Sequence, residues 1–220
     1  MATEEPELGA RAADRLITFS DAVVAIAITL LAIDLPVPRP LVASLHGYWA
    51  AIMSDSGQYL AFLISFVAIA GAWSQHHDLY RYVRGTDKRM RTYHLAWLLM
   101  IILIPFATKL LFAGSDDILA VHALHWGFYA LLQVVESVAL LAMVRRLVSC
   151  DYLEPNTPSR VVSSVAGQSW ALILGFGLSI PVFFATPNAW VLWIIGPLLV
   201  RRARSIHHRR ASRHEKPAGS

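Results

Sequence analysis

From Val161 to Val200 the chain runs forty positions without a single Asp, Glu, Lys or Arg. A helix needs about 20 apolar residues to cross a bilayer core, where every backbone N–H and C=O must find its partner inside the segment. The run is therefore long enough for two crossings, and Thr186-Pro187-Asn188 divides it with a turn signal whose proline suits the first turn of a new helix. The rest of the chain agrees. Hydrophobic residues make up 56% of the 220 positions, charged residues only 15%, and the mean hydropathy is +0.50. Soluble domains carry about 25% charge, so a water-soluble enzyme, a disordered chain and a nucleic-acid-binding module are all poor fits.

Six spans follow from the uncharged stretches: 15–35, 56–75, 93–113, 118–144, 161–185 and 189–200. The first stops at Pro36-Val-Pro-Arg-Pro40, the third holds Pro105 and Lys109, and the fourth is interrupted only by Glu136. These divide the chain into a leading segment 1–14, a six-helix membrane domain 15–200 and a basic tail 201–220. The N-terminus is acidic (Glu4, Glu5, Glu7) and no small-residue cleavage site follows the first span, which is read as retained. The lone Cys150 excludes an intramolecular disulfide and a cysteine metal cluster.

Charge sets the orientation. Segments before the first span, between the second and third, between the fourth and fifth, and after the sixth hold 17 of the 19 Lys and Arg residues. Only Arg39 and Lys109 lie on the other side. Basic residues in short loops mark the cytoplasmic side, so both termini are expected there. The basic excess, including the tail RRARSIHHRRASRHEK, is read as this topology signal rather than as a nucleic-acid site.

The first span carries the most information. With 100° per residue, Phe19, Ala22, Thr29, Leu30 and Ile33 fall within about 60° of Ile26, a narrow apolar stripe with one hydroxyl. Ser20 and Asp21 lie on the back, and so does Leu31. A carboxylate within a span is costly and turns toward protein or water. Asp21 accordingly reads as part of a network pinning the helix to its neighbours, with a role as proton or cation carrier as the sharper alternative. His76-His77-Asp78 closes the second span as an interfacial hydrogen-bonding cluster able to reach Ser20 or Asp21. A zinc site would need further ligands. His122, His125 and Glu136 in the fourth span give only a weak metal signal, since Glu136 lies two to three turns away.

Arg15-x-x-x-Phe19-Ser20-Asp21, continuing Ala-Val-Val-Ala-Ile26-Ala-Ile-Thr29-Leu30, resembles the first-helix signature of the transmembrane protein 175 family, which includes the lysosomal potassium channel and single-repeat prokaryotic relatives. Trp73-x-x-His76-His77 and Ile104-Pro105-Phe106-Ala-Thr108 are similar to its second- and third-helix motifs. Where relatives often carry an Asn near the start of the third helix, this chain reads His94-Leu-Ala-Trp97.

The resemblance implies an all-α, potassium-preferring cation channel without a Thr-Val-Gly-Tyr-Gly filter, a sequence absent here. It implies a homotetramer in a cell membrane with the first helix lining a central pore. Potassium and other monovalent cations would be the permeant partners, with no resident cofactor, metal or nucleic acid and no enzymatic activity. Carried over by position, the constriction falls on Ile26, Leu30 and Ile33 and the selectivity layer on Thr29. The structural or gating network falls on Arg15, Phe19, Ser20, Asp21, Trp73, His76 and His77. The rival reading, a six-helix secondary transporter of cations or protons, needs paired ligands at the midplane, and Glu136 has no obvious partner carboxylate in the sequence.

Overall fold

The computed structural model describes residues 4–112 and 118–196, with side chains from residue 15 onward. Its elements are α1 (Glu4–Ile33), α2 (Leu45–Ser54), α3 (Ser56–Tyr80), α4 (Lys88–Leu110), α5 (Leu119–Ser149) and α6 (Ser159–Phe183), then a 3-10 turn Pro187–Trp190. A helix continues from 191 to 196 at the edge of the described residues. Among these, five helices are long and apolar enough to cross a membrane: Arg15–Ile33, α3, α4, α5 and α6. The chain is an all-α, multi-pass membrane protein. Residues 197–200 of the sixth expected span and the basic tail lie outside the described residues.

Several helices start or end beyond the bounds that charge alone indicated, and local chemistry explains those of α3, α4 and α5. α3 continues past Gln75 to Tyr80 because His76, Leu79 and Tyr80 bury against neighbours. Asp87 caps α4 by accepting from the backbone N–H of Met90 at 2.7 Å, so that helix starts at Lys88 rather than near Tyr93. α5 continues to Ser149 because its amphipathic last turns bury Val144 and Leu147 while Arg145 and Arg146 emerge at the interface. α1 runs unbroken back to Glu4, through the expected leading segment.

The helix α2 lies where the sequence reading placed no element. Ser44 caps it, accepting from Gly47 N–H at 3.0 Å. A side chain at Gly47 would meet the Val42 carbonyl at 2.3 Å, so only glycine fits that entry turn. α2 buries no residue, which is why its pattern stood out so little from a loop.

The scaffold is the α4–α5–α6 bundle. An aromatic cluster of Trp126, Tyr129, Phe176, Phe183 and Trp193 locks the end opposite the basic loops, and Trp193 Nε1 donates to Ser179 Oγ at 2.8 Å. Gly196 approaches Gly175 so closely that a Cβ would sit 3.0 Å from its Cα, which docks the last helix on α6. At the basic end the α3–α4 and α5–α6 loops pair through a bridge between Val83 and Leu153. Arg84 clasps Asp151 beside it, and Arg146 Nε donates to Asp87 at 2.9 Å. That guanidinium, with the Met90 N–H, holds the Asp87 carboxyl below the usual carboxylate range.

Candidate pore helix and its anchoring network

α1 packs on α3 and α4 and makes no contact with α5 or α6 among the described residues. One face is spent on that packing: Ser20, Val24, Ala27 and Leu31, at the i, i+4, i+7, i+11 spacing of a single stripe, are all 4% exposed or less. The opposite stripe is apolar yet uncovered within the chain. Phe19, Ile26, Leu30 and Ile33 are 53%, 59%, 42% and 76% exposed, with Ala22, Ala25 and Thr29 open beside them. The wheel drawn from sequence thus has the orientation the structure gives: Ile26, Thr29, Leu30 and Ile33 face away from the protomer and Leu31 faces into it.

Thr29 shows how a hydroxyl sits on such a stripe. Its Oγ1 donates to the Ile26 carbonyl at 2.8 Å. The proton is used within the helix, and the exposed hydroxyl oxygen keeps its acceptor capacity.

Polar contacts hold α1 at both ends. At the basic end Trp73 Nε1 donates to the Asp21 carboxylate at 2.8 Å, and His77 packs its ring 5.2 Å from that indole. Ser20 Oγ donates to the Leu16 carbonyl at 2.7 Å and also bonds His94 Nε2. Because the Ser20 proton goes to Leu16, Nε2 is the donor toward Ser20, while Nδ1 lies 2.9 Å from the Tyr80 hydroxyl. At the other end Lys109 Nζ pairs with Asp34 at 2.7 Å, which gives the lone cation inside the third expected span its partner.

His94 is the hub that sequence reasoning left open. It joins α1 to α3 through its two ring nitrogens. His76 reaches Ser20 only through it, with Nε2 3.3 Å from His94 Nδ1, rather than directly. The His76 ring is stacked between Tyr80 at 4.1 Å and Trp97 at 4.5 Å. Trp97, fully buried, donates its indole N–H to Glu136, whose other oxygen accepts from Ser137 at 3.2 Å. Glu136 is thereby tied into the bundle.

A second polar layer lies nearer the opposite end, where Ser65 bonds Thr108 at 2.7 Å and Tyr129 at 3.2 Å. Of the expected network residues, Arg15 and Phe19 are exposed and join neither layer. His122 stacks on Trp126. Among the described residues no three His, Cys, Asp or Glu side chains converge as metal ligands.

With this geometry in hand, comparison with known proteins is specific. The family model for the endosomal/lysosomal potassium channel TMEM175 matches residues 15–105, the stretch holding the membrane-spanning part of α1, α2, α3, most of α4 and the Ser20, Asp21, Trp73, His76 and His94 contacts. A potassium channel of Streptomyces collinus is 28% identical over 173 residues, covering 78% of this chain and 82% of that protein. The chain is similar to members of the TMEM175 family over this stretch. A second relative, a potassium channel of Chamaesiphon minutus, is 36% identical over 110 residues, half of this chain and 52% of its own length. The fold matches the crystal structure of a TMEM175 homologue from Chamaesiphon minutus with a TM-score of 0.68 at 22% identity, across 87% of this chain and 96% of that one.

Proposed function

We propose that this protein is a potassium-preferring cation channel. It conducts passively through a central pore lined by α1 from four copies of the chain, and lacks a carbonyl-ring filter. The observation that carries this reading is the uncovered stripe of α1: an apolar face left open on a helix otherwise anchored at both ends. One such stripe cannot enclose a path, whereas four around an axis can. The potassium channels among its relatives point the same way.

In this reading Ile26, Leu30 and Ile33 form hydrophobic rings that close by dewetting. The Thr29 lone pairs face the permeating ion one turn from Ile26. α1 is continuous and its carbonyls are engaged within the helix, so they cannot replace a hydration shell. The segment beginning near Pro187 completes a sixth span, and the basic loops place both termini in the cytoplasm of a plasma membrane. Asp21, Ser20, Trp73, His76, His77 and His94 hold the pore helix and carry no ion.

The test is the full chain in planar bilayers under opposed potassium and sodium gradients. A reversal potential that follows potassium supports the channel. Electroneutral, saturable flux selects the secondary transporter instead.

A further inference from the structure

A cleft lies between α3 and α6. Its inner part, about 480 Å³, is walled mainly by aliphatic residues of α3 and by Phe176 and Trp193. Its outer part, about 520 Å³, is lined by Arg81 and Arg160 together with Ser74, Asp78 and Ser164. The two parts adjoin, sharing Gly71, Gln75 and Gln168 as lining, and run from a basic mouth into a mainly apolar interior that Gln133 and Glu136 also line.

The mouth opposes two guanidiniums to one carboxylate, and among the described residues neither Arg81 nor Arg160 takes part in an ion pair. α6 starts there without a side-chain cap, which adds the positive end of its dipole. At the junction, a Cβ built on Gly71 meets nothing within 4 Å.

We propose that this cleft is a binding site for one anionic glycerophospholipid, independent of the pore assignment. The phosphate sits between Arg81 and Arg160, the ester region lies level with Gln75 and Gln168, and an acyl chain runs along α3 toward Trp193. Sign of charge, depth and the polar-to-apolar gradient all match a lipid of the leaflet at the basic end and fit a soluble anion poorly.

The experiment is thermal unfolding of the purified full chain in detergent, titrated with dioleoyl phosphatidylglycerol, dioleoyl phosphatidylcholine or glycerol 3-phosphate. Phosphatidylglycerol should raise Tm in a saturable manner, because a ligand bound only by the folded state stabilises it. At about a tenfold to hundredfold loss for two interfacial cations, Arg81→Ala with Arg160→Ala should shift the titration to correspondingly higher lipid. Gly71→Leu has room for its side chain, so it should keep the ligand-free Tm while losing the lipid response.

An equal response to phosphatidylcholine would overturn the proposal. So would a full response to glycerol 3-phosphate alone, or an unchanged titration in the arginine double variant. Should Gly71→Leu lower the ligand-free Tm, native mass spectrometry of lipid retained by the parent and the arginine variant decides: equal retention refutes the site.

Discussion

α1 and the α4–α5–α6 bundle solve opposite problems with the same apolar alphabet. The bundle has a packed interior: Trp97, Ile101, Ile104, Tyr129, Met143 and Leu147 are fully buried, and Trp97 bonds Glu136 across helices, while its outer face leaves residues such as Leu99, Phe106, Leu124 and Leu178 open. α1 covers one stripe only and leaves Ile26, Leu30 and Ile33 open. The bundle packs around its own interior, whereas α1 is fixed to α4 at Ser20 and Asp34 and to α3 at Asp21 and leaves its remaining face uncovered within the chain. In the proposed channel, assembly completes this face of α1. The contrast separates substitutions that remove the scaffold from those that alter only what α1 presents.

The largest effect is expected at Trp97. Trp97→Ala should cost about 3–5 kcal/mol for the cavity, and it also strips Glu136 of its indole donor and His76 of a stacking face. Thermal unfolding in detergent should show the loss, with little monodisperse protein recovered. A variant as stable as the parent would mean the bundle is not the scaffold.

His94 comes next, because it joins the two regions. His94→Ala leaves Ser20 and Tyr80 without their partner and should cost about 1–3 kcal/mol. His94→Asn restores one amide toward Ser20 and should recover part of it. The same unfolding assay checks this, and equal losses for Ala and Asn would show that the ring is needed for its volume rather than its nitrogens.

The smallest effect lies at the basic end of the bundle. Arg146 lowers the Asp87 pKa in the folded protein, so the pair contributes stability above the unfolded carboxylate value of about 3.9 and loses it as pH falls through the lower folded value. Asp87→Asn keeps a good helix cap, so it should cost under about 1 kcal/mol at neutral pH, the range for a partly exposed pair. The gap should close below about pH 4. Chemical unfolding across pH measures it, and a gap that widened on acidification would reverse the assignment.

How much of this was legible in the sequence depended on whether the signal was local. The five spans and the orientation of α1 were readable because hydropathy and a 100° period are properties of consecutive residues. Leu31 inward and Ile26 outward followed from angle alone. The role of His94 was not readable, since it depends on Ser20, 74 positions away, and on Tyr80 across a different helix. Lys109 looked like an anomaly until Asp34 met it from another helix end. Glu136 invited a metal or transport reading because Trp97, its donor, announces nothing about its indole N–H in sequence. α2 was missed because a short helix with no buried face leaves no periodic trace.

The central claim is that the open stripe of α1, not its buried face, touches the permeating ion. Single-channel conductance and reversal potential under opposed potassium and sodium gradients, recorded for Ile26→Asn, Thr29→Val and Leu31→Ala, test it most directly. A polar residue at Ile26 hydrates the narrowest ring, so conductance should rise and discrimination weaken. Removing the Thr29 hydroxyl should reduce the preference for potassium while the assembly stays intact. Leu31→Ala should lower stability and leave permeation as in the parent. If Ile26→Asn and Thr29→Val conduct as the parent does while Leu31→Ala changes selectivity, the pore lies on the other face of α1 and the account is contradicted.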